Sequence, residues 1–391
     1  MSKHFRKFLE IFSKNLSIAH LMTTTVIIGG GIVGLNIALA LHDAKKGGEI
    51  YLIEGEEFYG HHTSGRNSEV VHAGLAYPPN SLKMKLCVEG NRLTKELAHR
   101  LNVPIRKDGK WVLATNIEEA EGLHKLATTA KEGGSVGLEF RDPQEAVNAV
   151  PELKLPYAAT FSPSTAMIDA ASYVKALDRY LSSQAGVALI NPCKVTGVNV
   201  AASTLDTDRG EMPFDVLINS AGLFADEIYH MSGGKRKFEI RPFKGEYYRW
   251  KNGTLQSVIY PVPGRFVKKE ASTDGVMVSS LGIHAHRNVG GDLLLGPSQV
   301  KIDPKAKTDY SFVSPPEDFI KAMIPFVKKP PTANDLEMAY AGNRPKLYEE
   351  GKPLGDFMIE REGNIIHLLG IESPGLTAAP AIGKYIVRMM S

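Results

Sequence analysis

Three glycines and one glutamate near the start of the chain have the types and spacing needed to bind a dinucleotide. The glycines form the pattern Gly29-x-Gly31-x-x-Gly34, and Glu54 lies twenty residues after the last of them. The first glycine of such a pattern makes a tight turn, the second admits a pyrophosphate beside the backbone, and the third packs a helix on a strand. A carboxylate at the spacing of Glu54 can accept hydrogen bonds from an adenosine ribose.

The residues around the glycines predict the elements that would hold them. An apolar β-branched run, Val26 to Ile28, comes before the turn, and an apolar helix follows it and ends at Gly47-Gly48. A second apolar run, Ile50 to Ile53, leads into Glu54. An ordinary glycine-rich turn is the alternative, but the complete strand, helix and strand favour the dinucleotide site, with the phosphates at the helix N-terminus.

Composition limits the class of protein. The chain has 391 residues, too many for one core, and 43% are hydrophobic and 23% charged, as in soluble two-domain proteins. The net charge is +3, from 46 basic and 43 acidic residues, which is not the excess of positive charge typical of nucleic-acid-binding proteins. Cys87 and Cys193 have neither disulfide-framework nor zinc spacing, so we expect reduced thiols, an intracellular location and no metal site. The longest apolar stretch, Val26 to Leu41, is too short to cross a membrane.

Residues 1–22 precede the first predicted strand and are basic. Aromatic and aliphatic side chains recur at helical spacing from Phe5 to Phe12, which predicts an amphipathic helix. The segment has three interpretations: a mitochondrial targeting peptide, a membrane-surface anchor, or a tail upstream of a true start at Met22. Its length and charge do not separate them.

The polar segment after Glu54 carries a resemblance to a known family. From His61 it is HHTSGRNSEVVHAGLAYPPNSLKMKLCVEGNRL, which resembles the FAD-dependent oxidoreductases of the D-amino-acid oxidase superfamily, most closely the L-2-hydroxyglutarate dehydrogenases. The resemblance implies that this segment runs beneath the flavin, with Ser64, Asn67 and Ser68 contacting FAD and His72 close to the ring, without covalent attachment. A purely structural His72, hydrogen-bonded in a turn, is the alternative.

The next part of the chain alternates helices and strands. We predict a helix from Leu82 to Leu101 with Ser81 as its N-cap, a hairpin from Ile105 to Thr115 and a surface helix from Asn116 to Lys131. Asp169 caps a further predicted helix that ends at Leu181. The strand that begins at Phe214 ends in the small residues Ser220, Ala221 and Gly222, which resemble the second FAD-contacting motif of the superfamily.

From Arg241 to about Pro297 the pattern changes to short alternating strands, one of them at Gly275 to Ser279, which predicts an antiparallel sheet. The stretches PFKGEYY, IYPVPG, LGIHAHR and LLLGPS resemble successive pieces of the substrate domain of the L-2-hydroxyglutarate dehydrogenases. His284 and His286 fall on one face by the period of two, where a dianionic substrate or a metal could be met. The family pattern supports His284 but not His286, and Tyr247 joins His284 as a catalytic candidate.

Two motifs near the C-terminus complete the resemblance. AGNRPK resembles a glycine-x-arginine-proline signature and implies that Arg344 lies near the flavin and the substrate carboxylate, which a guanidinium can bind bidentately. A surface arginine is the alternative. IESPGLTAAP resembles the closing motif, in which Gly375, Leu376 and Thr377 begin the last helix with its N-terminus facing the flavin.

The predicted fold is α/β: a discontinuous Rossmann-like FAD-binding domain with a second, mostly antiparallel α+β substrate domain. The FAD-binding domain is expected to comprise residues 23–104, 157–235 and 341–391, and the substrate domain residues 105–156 and 236–340. The flavin should lie at their interface. The resemblance implies hydride transfer from substrate C2 to flavin N5 while His72 or His284 takes the hydroxyl proton and Arg344 holds a carboxylate.

Three functions follow from these observations. The first is oxidation of a 2-hydroxyacid, L-2-hydroxyglutarate above all, with electrons passing to a quinone, another carrier or oxygen. The second is a related amine, amino-acid or glycerol-3-phosphate enzyme on the same scaffold. The third is a non-catalytic flavoprotein that assists assembly of a respiratory complex, against which Arg344 and His284 argue. We expect a cytoplasmic protein with peripheral association with the inner membrane, or alternatively a mitochondrial one.

Overall fold

The computed structural model describes residues 23–135, 137–264 and 282–390. The predictions made for residues 1–22 and for a strand at Gly275 to Ser279 lie outside these ranges.

In chain order the helices are α1 Ile32–Asp43, α2 Leu82–Arg100, α3 Ile117–Glu132, α4 Pro143–Ala149, α5 Ala170–Ser182, α6 Ala225–Met231, α7 Pro316–Met323 and α8 Gly375–Met389. The strands are β1 Thr24–Ile28, β2 Glu49–Ile53, β3 Val70–Val71, β4 Ile105–Arg106, β5 Lys110–Ala114, β6 Glu139–Arg141, β7 Ala158–Ser162, β8 Ala166–Ile168, β9 Val187–Ile190, β10 Val195–Asn199, β11 Thr204–Thr207, β12 Gly210–Pro213, β13 Val216–Asn219, β14 Phe238–Trp250, β15 Val258–Pro261, β16 His284–Arg287, β17 Leu293–Gly296, β18 Val300–Lys301, β19 Leu336–Glu349, β20 Lys352–Pro353, β21 Met358–Glu362 and β22 Ile365–Leu369.

One half of the molecule is built on a six-stranded sheet in the order β21-β22-β13-β1-β2-β9. All neighbours are parallel except β21 and β22. The central strands β1, β2, β13 and β22 are mostly apolar, as expected for a parallel sheet covered by helices, and Val26 and Ile27 are fully buried. Helix α8 packs against α1 and α2. The predicted α/β class and Rossmann-like half are confirmed.

The other half is a ten-stranded sheet in the order β20-β19-β14-β17-β16-β15-β5-β7-β6, with β18 paired to β14. Its spine is the long antiparallel pair β14 and β19, which runs from Phe238 opposite Glu349 to Trp250 opposite Leu336 with one register shift between Tyr247 and Tyr248. Among the described strands of this sheet, β5 and β15 are the one pair that runs parallel. The predicted, mostly antiparallel second domain is therefore confirmed within the described residues.

The sheet pairing departs from the sequence-based predictions in two places. The predicted hairpin from Ile105 to Thr115 is wrong: β4 pairs with β8 in a small sheet, and β5 pairs with β7 and β15 in the large one. Gly109, with a φ of 73°, turns the chain from one sheet into the other. Strand β7 and residues 341–349 of β19 also belong to the large sheet, although the predicted boundaries at 157 and 341 put them in the FAD-binding domain.

The helix caps agree with the sequence. Ser81, Asn116 and Asp169 each accept a hydrogen bond from a backbone N–H in the first turn of the helix that follows. Among the described residues no helix is long and apolar enough to span a membrane, and no group of three or more acidic, histidine or cysteine side chains could hold a metal ion.

Candidate active site

A cavity of about 760 Å³ lies between the two large sheets. Its floor is the carboxyl edge of the parallel sheet, where β1, β2 and β13 end and Gly29, Glu54 and Ser220 follow them. Its roof comes from the antiparallel sheet, with Tyr247 on β14 and His284 on β16. Ligands of open α/β sheets bind at this edge because the strand-to-helix loops converge there.

The glycine turn has a shape that side chains would destroy. Gly29 has a φ of 103°, and a Cβ there would come within 2.6 Å of the Ser220 carbonyl oxygen. A Cβ on Gly34 would overlap the carbonyl oxygen of Gly29, so helix α1 can approach β1 only with glycine at this position. At Gly31 a Cβ would lie 3.0 Å from Ser64 Oγ, which accepts a hydrogen bond from Ile32 N–H at the start of α1. The turn thus leaves bare backbone beside a helix N-terminus, which suits a diphosphate.

Glu54 closes the floor of the cavity beside this turn. One carboxylate oxygen accepts a hydrogen bond from Gly30 N–H at 2.7 Å, and the other accepts one from Glu56 N–H at 2.9 Å. Burial raises the pKa of Glu54, while these backbone donors act in the opposite direction. Each oxygen keeps a second lone pair for a ribose hydroxyl.

The predicted cofactor residues come together around the cavity, with two exceptions. Those that line it are Gly29, Gly31, Glu54, Ser64, Asn67, Ser68, Ser220, Ala221, Gly222, Gly375 and Leu376. Gly34 lies behind the turn, where it serves packing. Thr377 is buried one residue beyond the lining, and its hydroxyl accepts a hydrogen bond from His72 N–H at 2.9 Å and donates to the Val70 carbonyl at 3.2 Å. Thr377 therefore positions the His72 segment.

His72 is held rigidly at the cavity wall. Besides the contact to Thr377, its carbonyl oxygen accepts a hydrogen bond from Asn91 Nδ2 at 2.9 Å. Its Nε2 lies 3.5 Å from the hydroxyl of Ser373, which also lines the cavity. Burial lowers the pKa of His72 to about 3, and the positive charge of Lys110 adds to the effect. His72 is therefore a neutral imidazole at pH 7.

His284 and His286 share a face of β16, as the period of two predicts, but only His284 lines the cavity. The His284 ring stacks on Tyr260 with 3.9 Å between centroids, and its buried Nε2 has no hydrogen-bond partner among the described residues. His286 is fully buried behind it, with 5.1 Å between the two ring centroids. The prediction that a substrate could meet both imidazoles is wrong for His286, because its side chain is fully buried, meets the Tyr247 ring edge-on and does not line the cavity.

Arg344 and Tyr247 come from the paired spine strands. Arg344 packs across Gly245, where a Cβ would lie 2.8 Å from its Nη2. Within the described residues no carboxylate lies at ion-pair distance from Arg344, and its one hydrogen-bond contact is the Ser298 carbonyl at 3.5 Å. Tyr247 is buried and stacks on Tyr340 at 4.6 Å. Burial raises the pKa of Tyr247.

The charged residues of the cavity that sequence reasoning missed include one connected network: Lys83, Lys346 and Glu372. Glu372 Oε1 accepts from Lys83 Nζ at 2.8 Å, and Lys346 Nζ lies 3.3 Å from Glu372 Oε2. Burial acts to raise the pKa of Glu372, but the two lysines overcome it and hold the pKa at about 2. The period of two from Arg344 to Lys346 was the available signal, because residues i and i+2 of a strand share a face.

The parallel sheet with its glycine turn, joined to an antiparallel sheet across one cavity, is the arrangement of a dinucleotide-binding protein. A family model described as DAO, FAD dependent oxidoreductase, matches residues 24–389. The chain belongs to this family of FAD-dependent oxidoreductases, and FAD is its cofactor.

Several curated relatives of the chain are L-2-hydroxyglutarate dehydrogenases. The chain is 30% identical to L-2-hydroxyglutarate dehydrogenase of Salmonella houtenae over 93% of its length and 92% of that protein. It is 33% identical to the mitochondrial L-2-hydroxyglutarate dehydrogenase of Caenorhabditis briggsae, over 74% of this chain and 66% of that one. A glycerol 3-phosphate dehydrogenase of Caloramator mitchellensis is 28% identical over 94% of this chain and 74% of that protein.

Solved structures show the same fold. L-alpha-glycerophosphate oxidase from Mycoplasma pneumoniae with FAD bound superposes with a TM-score of 0.78 at 23% identity, covering 94% of both chains. Glycine oxidase from Geobacillus kaustophilus superposes with a TM-score of 0.75 at 20% identity, again over 94% of each chain. The fold therefore serves several chemistries, and the substrate must be inferred from the site.

Proposed function

We propose that the protein oxidises a 2-hydroxyacid, L-2-hydroxyglutarate to 2-oxoglutarate, at its FAD. The observation that carries this proposal is Arg344, a cavity-lining guanidinium without a carboxylate partner among the described residues. The carboxylate of an anionic substrate would supply a partner for this guanidinium. The L-2-hydroxyglutarate dehydrogenases that match most of the chain support the same substrate.

The cavity fits FAD in the chemistry of its lining. The glycine turn, the α1 N-terminus and Glu54 would hold the diphosphate and ribose, and Gly375 at the start of α8 would face the ring end, where a helix N-terminus favours negative charge. When bound, FAD accepts a hydride from C2 of the substrate. The protein must therefore fix C2 in place and remove the hydroxyl proton.

Arg344 supplies the fixation. Its guanidinium presents a planar fork of donors that binds a carboxylate bidentately and sets the orientation of the adjacent carbon. Packing over the bare backbone of Gly245 restricts the side chain to the cavity. A point charge at the same place would attract the carboxylate without orienting it.

His72 accepts the hydroxyl proton at Nε2. Its Nε2 faces the cavity beside Ser373, and Thr377 anchors its segment to the start of α8. Burial makes His72 a weak base in the free protein, so proton transfer to it depends on the negative charge that a bound substrate brings close to the ring. His284 is the alternative base, but its Nε2 is enclosed beneath the Tyr260 ring and forms part of the roof. Replacement of His72 by glutamine is expected to slow flavin reduction by about 100-fold or more, and the same change at His284 by less.

Anaerobic mixing of the FAD-loaded protein with a substrate panel tests the proposal. L-2-Hydroxyglutarate is expected to bleach the flavin absorbance and yield 2-oxoglutarate, whereas sarcosine, glycine and glycerol 3-phosphate leave the flavin oxidised. Bleaching by an amine or by glycerol 3-phosphate alone would replace the hydroxyacid with that substrate. An oxidised flavin with every compound would favour an assembly role.

We further propose that electrons leave the flavin for a quinone or another carrier at a membrane surface, with the basic segment of residues 1–22 as the contact. A protein that starts at Met22 should reduce its flavin normally but lose association with the membrane fraction. Identical fractionation of the two forms would make the segment dispensable for location.

A further inference from the structure

One group of side chains in the cavity lining carries more positive charge than the carboxylate within it balances. Lys83, Lys346 and Arg344 all line it, and Glu372 is the one acid in ion-pair contact with any of them among the described residues. The four groups together carry a net charge of +2. The side chains of Lys83, Glu372 and Lys346 are 7%, 12% and 16% exposed, so water screens this charge poorly.

A purely structural ion-pair network does not need this composition. One lysine would balance Glu372 and still join helix α2 to the loop after β22. The second lysine adds an uncompensated charge in a half-enclosed place, which is unfavourable unless an anion completes the site. Burial accordingly lowers the pKa of Lys346, and the neighbouring Arg344 and Lys83 lower it further, although Glu372 opposes them.

The spacing of Arg344 and Lys346 matches a substrate with two carboxylates. Both lie on β19, two residues apart, so their side chains leave the same face about 7 Å apart at the backbone. The terminal carbons of an extended five-carbon diacid are about 5 Å apart, from four C–C bonds of about 1.5 Å. Two cationic side chains at the strand spacing can therefore contact both ends of one such molecule.

We propose that Lys346, held by Glu372 and assisted by Lys83, binds the distal carboxylate of a dicarboxylate substrate while Arg344 binds the carboxylate beside C2. This inference rests on the proposed function for the identity of the substrate. The inference also explains why the site would bind a dicarboxylate more tightly than a monocarboxylate. Glu372 lies within ion-pair distance of both ammonium groups and holds them beside each other in the cavity lining, so it acts as a positioning residue.

Binding of unreactive acids to the oxidised, FAD-loaded protein tests the subsite independently of turnover. Glutarate supplies both carboxylates and butyrate supplies one, and each is titrated by the change it causes in the flavin spectrum. In the wild type, glutarate is expected to bind about 10- to 100-fold more tightly than butyrate, the value of one charge-assisted contact. Lys346→Gln should remove most of this ratio and leave butyrate affinity nearly unchanged, and Lys346→Arg should restore part of it.

Lys85→Gln is the matched control, since Lys85 is an exposed lysine two residues after Lys83 on the same helix and should leave the ratio unchanged. Lys83→Gln provides a second variant if Lys346→Gln fails to fold, and it should reduce the ratio by a smaller factor. Equal losses for glutarate and butyrate in either variant, or an unchanged ratio, would overturn the subsite. Glycerol 3-phosphate binding that needs Lys346, with no preference for glutarate, would replace the distal carboxylate with a phosphate.

The outcomes also separate this inference from the proposed function. Flavin reduction by L-2-hydroxyglutarate with a diacid preference that Lys346→Gln does not alter would refute the subsite and keep the function. Tight, Lys346-dependent binding of glutarate, without reduction of the flavin by any 2-hydroxydiacid, would refute the proposed function and keep the subsite.

Discussion

The floor and the roof of the cavity recognise their ligands in different ways. The floor uses mainly backbone: the turn at Gly29, Gly31 and Gly34 offers bare peptide and a helix N-terminus, and Glu54 adds a carboxylate beside it. The roof and its rim use side chains, notably Arg344 and Lys346. Binding at the floor thus depends on the absence of a Cβ from the turn. Binding at the roof depends on which charged side chains are present and where they point.

The difference predicts different responses to mutation. A new side chain on the floor removes the cofactor altogether, because backbone geometry cannot relax around it. A change on the rim leaves the cofactor in place and alters which substrate reacts, because the other elements still hold the charge cluster.

Gly31→Val should cause the largest loss. Even a Cβ here approaches Ser64 Oγ to 3.0 Å, and a branched side chain would occupy the space for the diphosphate and disturb the cap of α1. We expect folded protein that lacks FAD, measured as the ratio of flavin to protein absorbance. Gly290→Val, in a surface turn of the roof, is the control and should stay yellow. Full flavin occupancy in Gly31→Val would remove the diphosphate from this turn.

Arg344→Lys tests the rim with the charge conserved. The variant should keep its FAD and fold but lose about 100-fold or more in kcat/KM for L-2-hydroxyglutarate, about 3 kcal/mol, because the guanidinium fork orients C2. Arg241→Lys, a neighbour on β14 that pairs with Glu239 and does not line the cavity, should be almost unaffected. Wild-type rates of flavin reduction in the lysine variant would place Arg344 outside the site.

His286→Leu tests whether His286 affects the stability of the fold without taking part in the reaction. Burial lowers the pKa of His286 to about 3, so protonation favours the unfolded state below the usual pKa of about 6.5. This penalty is absent above pH 6.5 and grows as the pH falls towards 3, by roughly 1.4 kcal/mol per unit. Urea titrations at pH 7 and pH 5 should show a smaller acid loss of unfolding free energy in the variant, with flavin reduction retained. Equal losses would mean that His286 is protonated in the fold.

Glu54→Gln should have the smallest effect. The amide oxygen can still accept from Gly30 N–H, but the amide NH2 then faces Glu56 N–H and cannot accept from it, and a charge-assisted contact to a ribose becomes neutral. FAD binding should therefore weaken by about 1 kcal/mol or more. Titration of the apoprotein with FAD measures it. An unchanged dissociation constant would count against a ribose contact, and complete loss of FAD would show that Glu54 chiefly builds the turn.

The floor could be predicted from sequence because its parts are contiguous. The strand, turn and helix from Thr24 to Asp43 depend on local spacing, and the structure reproduces them. The caps at Ser81 and Asp169 were predicted for the same reason. Ser220 and Gly375 reach the same cavity only through parallel pairing and helix packing, and the family resemblance, rather than any local pattern, brought them into the prediction.

The charge cluster of the rim could not be predicted in this way. Lys83 lies on α2, Lys346 on β19 and Glu372 after β22, so almost three hundred positions separate the ends of the network. In the sequence, the residues around Lys83 and Lys346 form the same kind of local pattern as those around a surface lysine. The false hairpin at Ile105 has the same origin, because local turn chemistry indicates where the chain bends but not which sheet receives the next strand.

The most direct test of the central claim is a single-turnover reaction with L-2-hydroxyglutarate that carries deuterium at C2. The account predicts that the anaerobic, FAD-loaded wild type is reduced with one 2-oxoglutarate formed per flavin, more slowly for the deuterated substrate because the C2–H bond breaks as the flavin is reduced. A flavin that stays oxidised, or one reduced without formation of 2-oxoglutarate, would contradict it.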